Sequence, residues 1–138
     1  MGGRIMTVTD RDRCRLGHLL TSEATAGLGS ARLRFDLETT LEEATTVPAE
    51  VTPRWLVTMN STVILKDLTS GQRATRTLVY PEDRELMRNS VGILQRPGLC
   101  LLGRCIGDIV EFQEGNRVRR FRIESLPYQP EAAGDTHL

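Results

Sequence analysis

Aromatic and histidine side chains are scarce in this sequence, and their scarcity argues against two classes of function. The chain has one Trp, three Phe and two Tyr, too few for the successive stacking platforms that hold single-stranded nucleic acid. Of its two His residues, His18 is expected on the exposed face of a helix, and His137 is the penultimate residue. A nucleophilic site with a His base and an orienting carboxylate is therefore not indicated.

Cysteines are also few, and their spacing does not suit a metal site. No two of the three cysteines, Cys14, Cys100 and Cys105, have the spacing Cys-x-x-Cys. Neither His lies near Cys100 or Cys105 in the sequence. Structural zinc needs four closely spaced nitrogen or sulfur ligands, so we expect no metal and treat the thiols as small hydrophobic groups. A Walker-type glycine-rich loop and the dinucleotide glycine pattern are missing as well, so no cofactor is predicted.

Long apolar runs and an excess of one charge are likewise absent. No segment approaches the roughly 20 apolar residues that span a bilayer, and the N-terminal segment MGGRIMTVTD lacks the apolar core of a secretory signal. The 18 basic and 18 acidic residues give a formal net charge of zero. We therefore expect a cytoplasmic protein without membrane contact, and with weak or no direct contact to nucleic acid.

The N-terminal part of the chain has a helical apolar period. Thr9 or Asp10 can cap a helix that runs to about Leu20, and Ser30 can cap a second helix. In this second helix a narrow apolar seam is formed at i, i+4, i+8 and i+11 by Leu33, Leu37, Leu41 and Ala44.

The two helices predict an antiparallel hairpin. The segment TSEATAGLGS, rich in small residues, supplies the turn, and Val47-Pro48 ends the second helix because proline disfavours helical geometry in the residue before it. Arms of about 14 residues reach about 20 Å at 1.5 Å per residue. We predict a short antiparallel coiled-coil domain over residues 1–53.

From Val57 onward the apolar period changes to two, which is typical of strands. Strands are predicted at Val57–Leu65, Gln72–Tyr80, Ser90–Leu94, Ile109–Gln113 and Val118–Leu126. A short helix from Pro97 to Gly103 has proline at its start and glycine at its end. The order β-β-β-α-β-β predicts an α+β domain over residues 54–138, an antiparallel sheet with one short helix.

The run RVRRFR, from Arg117 to Arg122, is the densest positive stretch of the chain. Alternation should turn Phe121 and Ile123 toward the core and leave Arg120 and Arg122 on the other face. Two interpretations stay open: a solvated strand face next to a hairpin, or an electrostatic contact with an acidic partner or with phosphates.

Four C-terminal segments resemble a known family: VTMNSTVILKDLTSGQ, RTLVYPED, LLGRCIGDIVEF and YQPEAAGD. In this order they are similar to the bacterial regulators of nucleoside diphosphate kinase, which in turn resemble the Gre-type transcript-cleavage factors of RNA polymerase. The resemblance covers Val57 to Leu138. It implies an N-terminal antiparallel coiled coil and a C-terminal FKBP-like domain, in which a sheet wraps over a short helix.

The resemblance also implies binding to RNA polymerase near the rim of its secondary channel. In Gre-type factors a Ser-Pro step at the start of the short helix belongs to the docking surface. The matching step here is Arg96-Pro97, so the proline carries over and the serine does not. Arg96, Pro97, Gly98 and Leu99 are therefore the predicted docking loop.

The catalytic part of the Gre-type factors does not carry over. Their cleavage activity uses acidic residues at the tip of a long coiled coil, where they help to hold a second metal ion. The tip predicted here contains Glu23, Gly27 and Gly29, and Glu23 is its one carboxylate. Asp36 and Glu38 lie about two turns further along the second helix and do not converge with it at the tip.

The hypothesis from the sequence is a non-enzymatic regulator that docks on RNA polymerase and competes with longer-armed factors. Two rivals stay open: an active transcript-cleavage factor, and a regulator of nucleoside diphosphate kinase level by a metabolic route. No nucleotide site is visible, so a link to that kinase would be indirect, through transcription. Peptidyl-prolyl isomerase activity is suggested by fold analogy alone, which is poor support for an activity.

Overall fold

The computed structural model describes residues 6–83 and 89–135, and within these ranges helices and strands combine in an α+β fold, as predicted. In chain order the elements are β1 (Thr7–Thr9), α1 (Asp10–Thr21), α2 (Ala31–Glu43), β2 (Thr45–Val47), β3 (Thr62–Asp67), β4 (Arg73–Val79), β5 (Ser90–Gly92), α3 (Arg96–Leu101), β6 (Ile109–Glu114), β7 (Arg117–Tyr128) and α4 (Pro130–Ala133). Single 3-10 turns lie at Glu23–Thr25, Ala49–Val51 and Pro81–Asp83.

Side-chain caps start the two long helices at the predicted residues. The Thr9 hydroxyl accepts a hydrogen bond from the Asp12 amide at 3.0 Å, and the Ser30 hydroxyl accepts one from the Leu33 amide at 3.1 Å. Each such cap is worth about 1 kcal/mol. The four residues of the predicted seam are buried in the core or packed against it: Leu33, Leu37, Leu41 and Ala44.

Contacts between α1 and α2 join the start of each helix to the end of the other. Arg13, in the first turn of α1, donates a hydrogen bond to the Leu41 carbonyl near the end of α2. Arg34, in the first turn of α2, donates to the Leu20 carbonyl at 3.1 Å. The two helices therefore lie side by side in opposite directions, while their description as a coiled coil stays a prediction.

A short parallel ladder between β1 and β2 lies at the base of the helix pair, and the sequence does not predict it. Strands of three residues have too few positions to show a period of two. The helix α2 ends at Glu43, with Ala44 as its C-cap, so its predicted end at Val47-Pro48 is wrong. The reason is that residues 45–47 pair with β1 instead of continuing the helix.

The main sheet has the strand order β5-β4-β3-β7-β6. Its strands pair in antiparallel fashion except at one edge, where β5 runs parallel to β4. The predicted fully antiparallel sheet is therefore wrong at this edge, because β4 and β5 are not joined by a hairpin turn and a period of two carries no information on strand direction. A second short helix, α4, also follows β7 where none is predicted.

The strand β3 begins at Thr62, later than the predicted start at Val57. Asn60 has a φ of +67°, a left-handed conformation that interrupts the extended backbone. Val57 and Met59 are nevertheless buried. The period of two therefore predicts the burial of these residues correctly although they lie outside the strand.

One hydrophobic core joins the helix pair to the sheet. Leu16 and Leu37 of the helices pack in the same cluster as Met59, Leu78 and Ile93, and each of these five side chains is less than 2% exposed. The predicted boundary between residues 1–53 and 54–138 passes through this core. The division into two domains stays a prediction, as does the FKBP-like description of the second one.

Candidate functional site

The helix α3 lies directly against β5, and Gly98 makes this close approach possible. A Cβ atom at Gly98 would lie 2.0 Å from the Gly92 carbonyl oxygen. Pro97 in the first turn favours the start of the helix, while Leu99 and Leu101 are buried on its packed side. The segment RPGLCL thus forms a short helix that is fixed firmly on the sheet.

The four residues of the predicted docking loop fall into two groups. Gly98 and Leu99 are buried, and the structure gives both a packing role. Arg96 and Pro97 are half-buried and reach the surface. Arg96 donates a hydrogen bond to Asp36 of α2 at 3.0 Å, and this bond lowers the pKa of Asp36. A direct partner contact is therefore a prediction that the structure favours for Arg96 and Pro97.

A cleft of about 190 Å³ opens between α3 and the inner face of the sheet, which is the face that α3 covers. Its apolar wall is formed by Leu65, Val91, Pro97, Leu101, Val110, Phe112 and Phe121. The rings of Phe112 and Phe121 are stacked, with centroids 5.8 Å apart and 11° between their planes. Small-molecule pockets usually measure about 300–1,000 Å³, so this cleft is better suited to one inserted apolar side chain.

The rim of the cleft carries charged side chains of both signs. Arg76, Arg119 and Glu114 all line it. Arg119 forms ion pairs with Glu114 at 3.0 Å and with Asp67 at 3.2 Å, and its guanidinium lies 5.1 Å from the centre of the Phe121 ring. These contacts fix Arg119 over the aromatic pair, so the cleft combines an apolar interior with an ordered polar rim.

Sequence reasoning finds only part of this cleft. The sequence predicts that Pro97 is a docking residue and that Phe121 faces the core. It does not predict that Val91, Phe112 and Arg119 lie beside them in one cleft. Alternation predicts the face on which a residue lies, whereas the neighbours across the sheet depend on the register of the strands. The alternation of RVRRFR is the one available signal, since it puts Arg119 and Phe121 on the same face.

The turn between α1 and α2 carries the predicted tip residues Glu23, Gly27 and Gly29, which are exposed. Gly29 has a φ of +72°, and a Cβ atom there would lie 3.0 Å from the Cβ of Leu94. The turn therefore lies against the segment that leads into α3. Asp36 does not contribute a second carboxylate to this turn, because it lies within α2 and binds Arg96.

Arg120 and Arg122 lie exposed on the outer face of the sheet, the face opposite to α3. Arg120 forms an ion pair with Glu111 of β6 at 2.9 Å. Arg122 lies opposite Lys66 of β3. The predicted electrostatic patch thus divides into one arginine that is paired within the sheet and one that joins cations of the neighbouring strands.

One carboxylate, that of Asp12, is buried where α1 meets the segment that leads into β3. Asp12 is 2% exposed, and its Oδ2 accepts a hydrogen bond from the Met59 amide at 2.9 Å. Burial raises the pKa of Asp12 from 3.8 to about 6 against the lowering effect of that hydrogen bond, and the nearby charge of Glu131 raises it further. Asp12 is therefore a titratable link between α1 and the segment before β3.

Two other kinds of site are absent from the part of the chain that the structure describes. Residues 6–83 and 89–135 contain no group of three His, Cys, Asp or Glu side chains that could hold a metal ion. In the same part of the chain, no helix is both long and apolar enough to cross a membrane.

Burial raises the pKa of the Cys100 thiol, and Cys100 packs against the core beside the cleft, as predicted.

Comparisons with known proteins agree with one another. The family described as transcription elongation factor GreA/GreB, C-terminal part, matches residues 53–128. The regulator of nucleoside diphosphate kinase of Escherichia coli K12 is 35% identical over 93% of this chain and 93% of its own length. The transcription elongation factor GreA of Syntrophus aciditrophicus is 24% identical over 54% of this chain and 46% of its own length.

A solved structure extends the agreement from sequence to fold. The prokaryotic transcription elongation factor GreA/GreB from Nitrosomonas europaea superposes with a TM-score of 0.74 at 34% identity, and the match covers 91% of this chain and 100% of that one. The chain therefore belongs to the GreA/GreB family, and within it is similar over nearly its whole length to regulators of nucleoside diphosphate kinase.

Proposed function

We propose that this protein is a non-enzymatic, cytoplasmic regulator that binds bacterial RNA polymerase near its secondary channel and competes there with Gre-type factors. The observation that supports this most is the cleft between α3 and the inner face, with Pro97 at its lip, in a chain of the GreA/GreB family. An apolar side chain of the polymerase enters the cleft, and an acidic group beside it faces Arg76. Anchors of this kind carry most of the binding energy in protein interfaces.

The protein docks without stimulating transcript cleavage. Holding a magnesium ion in the polymerase active site needs converging oxygen ligands, and the turn TSEATAGLGS offers one carboxylate, that of Glu23. Asp36 is engaged by Arg96. The helices α1 and α2 have 12 and 13 residues, a length of about 20 Å at 1.5 Å per residue, and their turn packs against Leu94.

Binding to purified core RNA polymerase tests the proposal. We expect association with a Kd in the micromolar range or tighter, and displacement by a Gre-type factor. Pro97→Asp keeps a residue that is tolerated in a first helical turn but puts a charge on the lip, and should weaken binding at least tenfold. The control, Gln113→Asp, makes the same change at an exposed residue of β6 and should leave binding within twofold. No association at micromolar protein would refute the proposal.

Backtracked transcription complexes distinguish the regulator from an active cleavage factor. Incubated with the protein and Mg²⁺, they should release no more short transcripts than the polymerase alone. Release that Glu23→Ala abolishes would assign the cleavage role instead.

The link to nucleoside diphosphate kinase is tested by mixing the two purified proteins. We expect no complex, because the proposed effect on the level of the kinase passes through transcription. A complex of the two proteins at micromolar concentration would establish the metabolic route.

A further inference from the structure

A row of three cations crosses the outer face of the main sheet. Arg73 of β4 lies opposite Lys66 of β3, and Lys66 lies opposite Arg122 of β7. Side chains that are directly opposite in an antiparallel pair have their Cβ atoms about 4.5–5.5 Å apart. The register therefore holds the three positive charges of this cation row (Arg73, Lys66 and Arg122) side by side.

The sheet itself neutralises the cation row only in part. Glu124 forms an ion pair with Arg73 at 2.5 Å, and the hydrogen bond from Arg73 lowers the pKa of Glu124, an effect to which Lys66 and Arg122 add. One carboxylate among three cations leaves an excess of positive charge. Like charges directly opposite each other destabilise a sheet, so the cation row costs stability that the negative charges of a partner would restore.

The surface next to the cation row is apolar. A groove of about 470 Å³ is lined by Ile64 and Ile106, and its wall also contains two cations of the row, Arg73 and Arg122, and the carboxylate of Glu124. Three apolar side chains at this end of the sheet are 42% to 57% exposed: Ile106, Ile109 and Trp55. Ile109 of β6 lies opposite Arg122, and therefore next to the end of the cation row. The Ile106 amide donates a hydrogen bond to the Trp55 carbonyl at 2.9 Å, which holds these two residues together.

We propose that this outer face binds an extended acidic polypeptide segment in which carboxylates and apolar side chains take turns at every second residue, so that both lie on the side of the segment that faces the sheet. The carboxylates pair with the cation row, and the apolar side chains enter the groove between Ile64 and Ile106. Nucleic acid fits less well, because Ile64 and Ile106 line the groove and a nucleic-acid backbone carries no apolar side chains that could enter it. The outer face is opposite to the α3 cleft, so this inference does not depend on the proposed docking to polymerase.

A peptide titration tests the inference. The probe is a synthetic 12-residue peptide with the repeat Asp-Ser-Leu-Ser, which puts Asp and Leu on the same side of an extended strand. It is added to the full-length ¹⁵N-labelled protein and followed by amide chemical shifts. We expect shifts confined to the outer-face residues of β3, β4 and β7 and to Ile106, with affinity that falls at least fivefold between 50 and 300 mM salt as the charges are screened.

Two variants on one strand provide the matched comparison. Arg122→Glu removes a cation from the row and places a carboxylate opposite Lys66, so the sheet should stay folded while the peptide binds at least tenfold more weakly. Arg117→Glu makes the same change on β7 at the hairpin end, opposite Glu114, and should alter peptide affinity less than twofold.

The contradicting outcomes are specific. Equal binding of a control peptide with Asn in place of Asp would mean that the cation row is not used. Equal weakening by Arg117→Glu would reduce the effect to general charge attraction. Tighter binding of a 12-nucleotide single-stranded DNA to the same residues would assign the face to nucleic acid. Each of these results, like the absence of any shift, overturns the inference.

Discussion

Two carboxylates in different parts of the molecule shift their pKa values in opposite directions. Between α1 and the segment that leads into β3, Asp12 is removed from water and its pKa rises to about 6. On the outer face of the main sheet, Glu124 stands beside Arg73 and its pKa falls. Burial therefore decides the sign of the pKa shift for Asp12, and neighbouring charges decide it for Glu124.

The strand β7 shows how one alternating sequence produces both faces of the main sheet. Its inward Arg119 lies over the Phe121 ring and is paired with two carboxylates. Its outward Arg122 joins a row of cations that one glutamate neutralises in part. The inner face is thus ordered and largely apolar, and the outer face is open and cationic, so the two faces suit different partners.

The largest expected effect comes from separating α3 from the inner face. Gly98→Ala puts a Cβ atom 2.0 Å from the Gly92 carbonyl oxygen, which forces the helix away from β5. We expect a loss of about 3 kcal/mol or more in the free energy of unfolding, measured by urea denaturation. Gly27→Ala is the control, because no atom lies within 4 Å of the added Cβ, and should change stability by less than about 0.5 kcal/mol. Equal effects of the two substitutions would contradict the close packing of α3.

The next effect concerns the buried carboxylate. Asp12→Asn keeps an acceptor for the Met59 amide but cannot ionise. Because the folded pKa is raised from 3.8 to about 6, the stability that Asp12 contributes is fully present below pH 3.8 and is lost as the pH rises through 6. The variant should therefore be more stable than the wild type at pH 8, by up to about 3 kcal/mol, and the difference should vanish near pH 4. Arg15, Glu131 and Thr9 face Asp12 and remain unchanged in both proteins.

The carboxylate on the outer face should show the reverse dependence on pH. Glu124 has a lowered folded pKa, so its contribution to stability is present above its ordinary pKa of 4.5 and is lost as the pH falls. Glu124→Gln should therefore be less stable than the wild type at pH 7 and should approach it in acid. Urea denaturation between pH 3 and 8 measures the contributions of both carboxylates to stability. The same sign of pH dependence for Asp12 and Glu124 would contradict the contrast between the buried carboxylate and the one on the outer face.

The smallest effects separate two neighbouring arginines. Arg119 is 27% exposed and pairs with two carboxylates, so Arg119→Ala should cost about 1–2 kcal/mol through lost packing and ion pairs. Arg120 is 59% exposed and has one exposed partner, Glu111, so Arg120→Ala should cost less than about 0.5 kcal/mol. Urea denaturation measures both losses. A larger loss of stability for Arg120→Ala than for Arg119→Ala would contradict the assignment of Arg119 to the packed inner face and of Arg120 to the exposed outer face.

The sequence predicts those parts of the structure that depend on residues close together in the chain. The caps Thr9 and Ser30 and the alternation of β7 follow from local chemistry and from side-chain period. The direction of β5 and the β1–β2 ladder do not, because both depend on pairing between distant segments. The same limit applies to the sites: Pro97 and Arg122 are named from the sequence, but the neighbours that complete the cleft and the cation row come from the strand register.

The affinity of core RNA polymerase for two variants of β6 tests most directly the claim that docking uses the inner face. Phe112→Glu places a charge in the cleft, and Ile109→Glu places the same charge on the outer face of the same strand. With both variants shown to be folded by urea denaturation, we predict at least tenfold weaker binding for Phe112→Glu, or about 1.4 kcal/mol, and less than a twofold change for Ile109→Glu. Equal losses, or a larger loss for Ile109→Glu, would contradict docking through the α3 cleft.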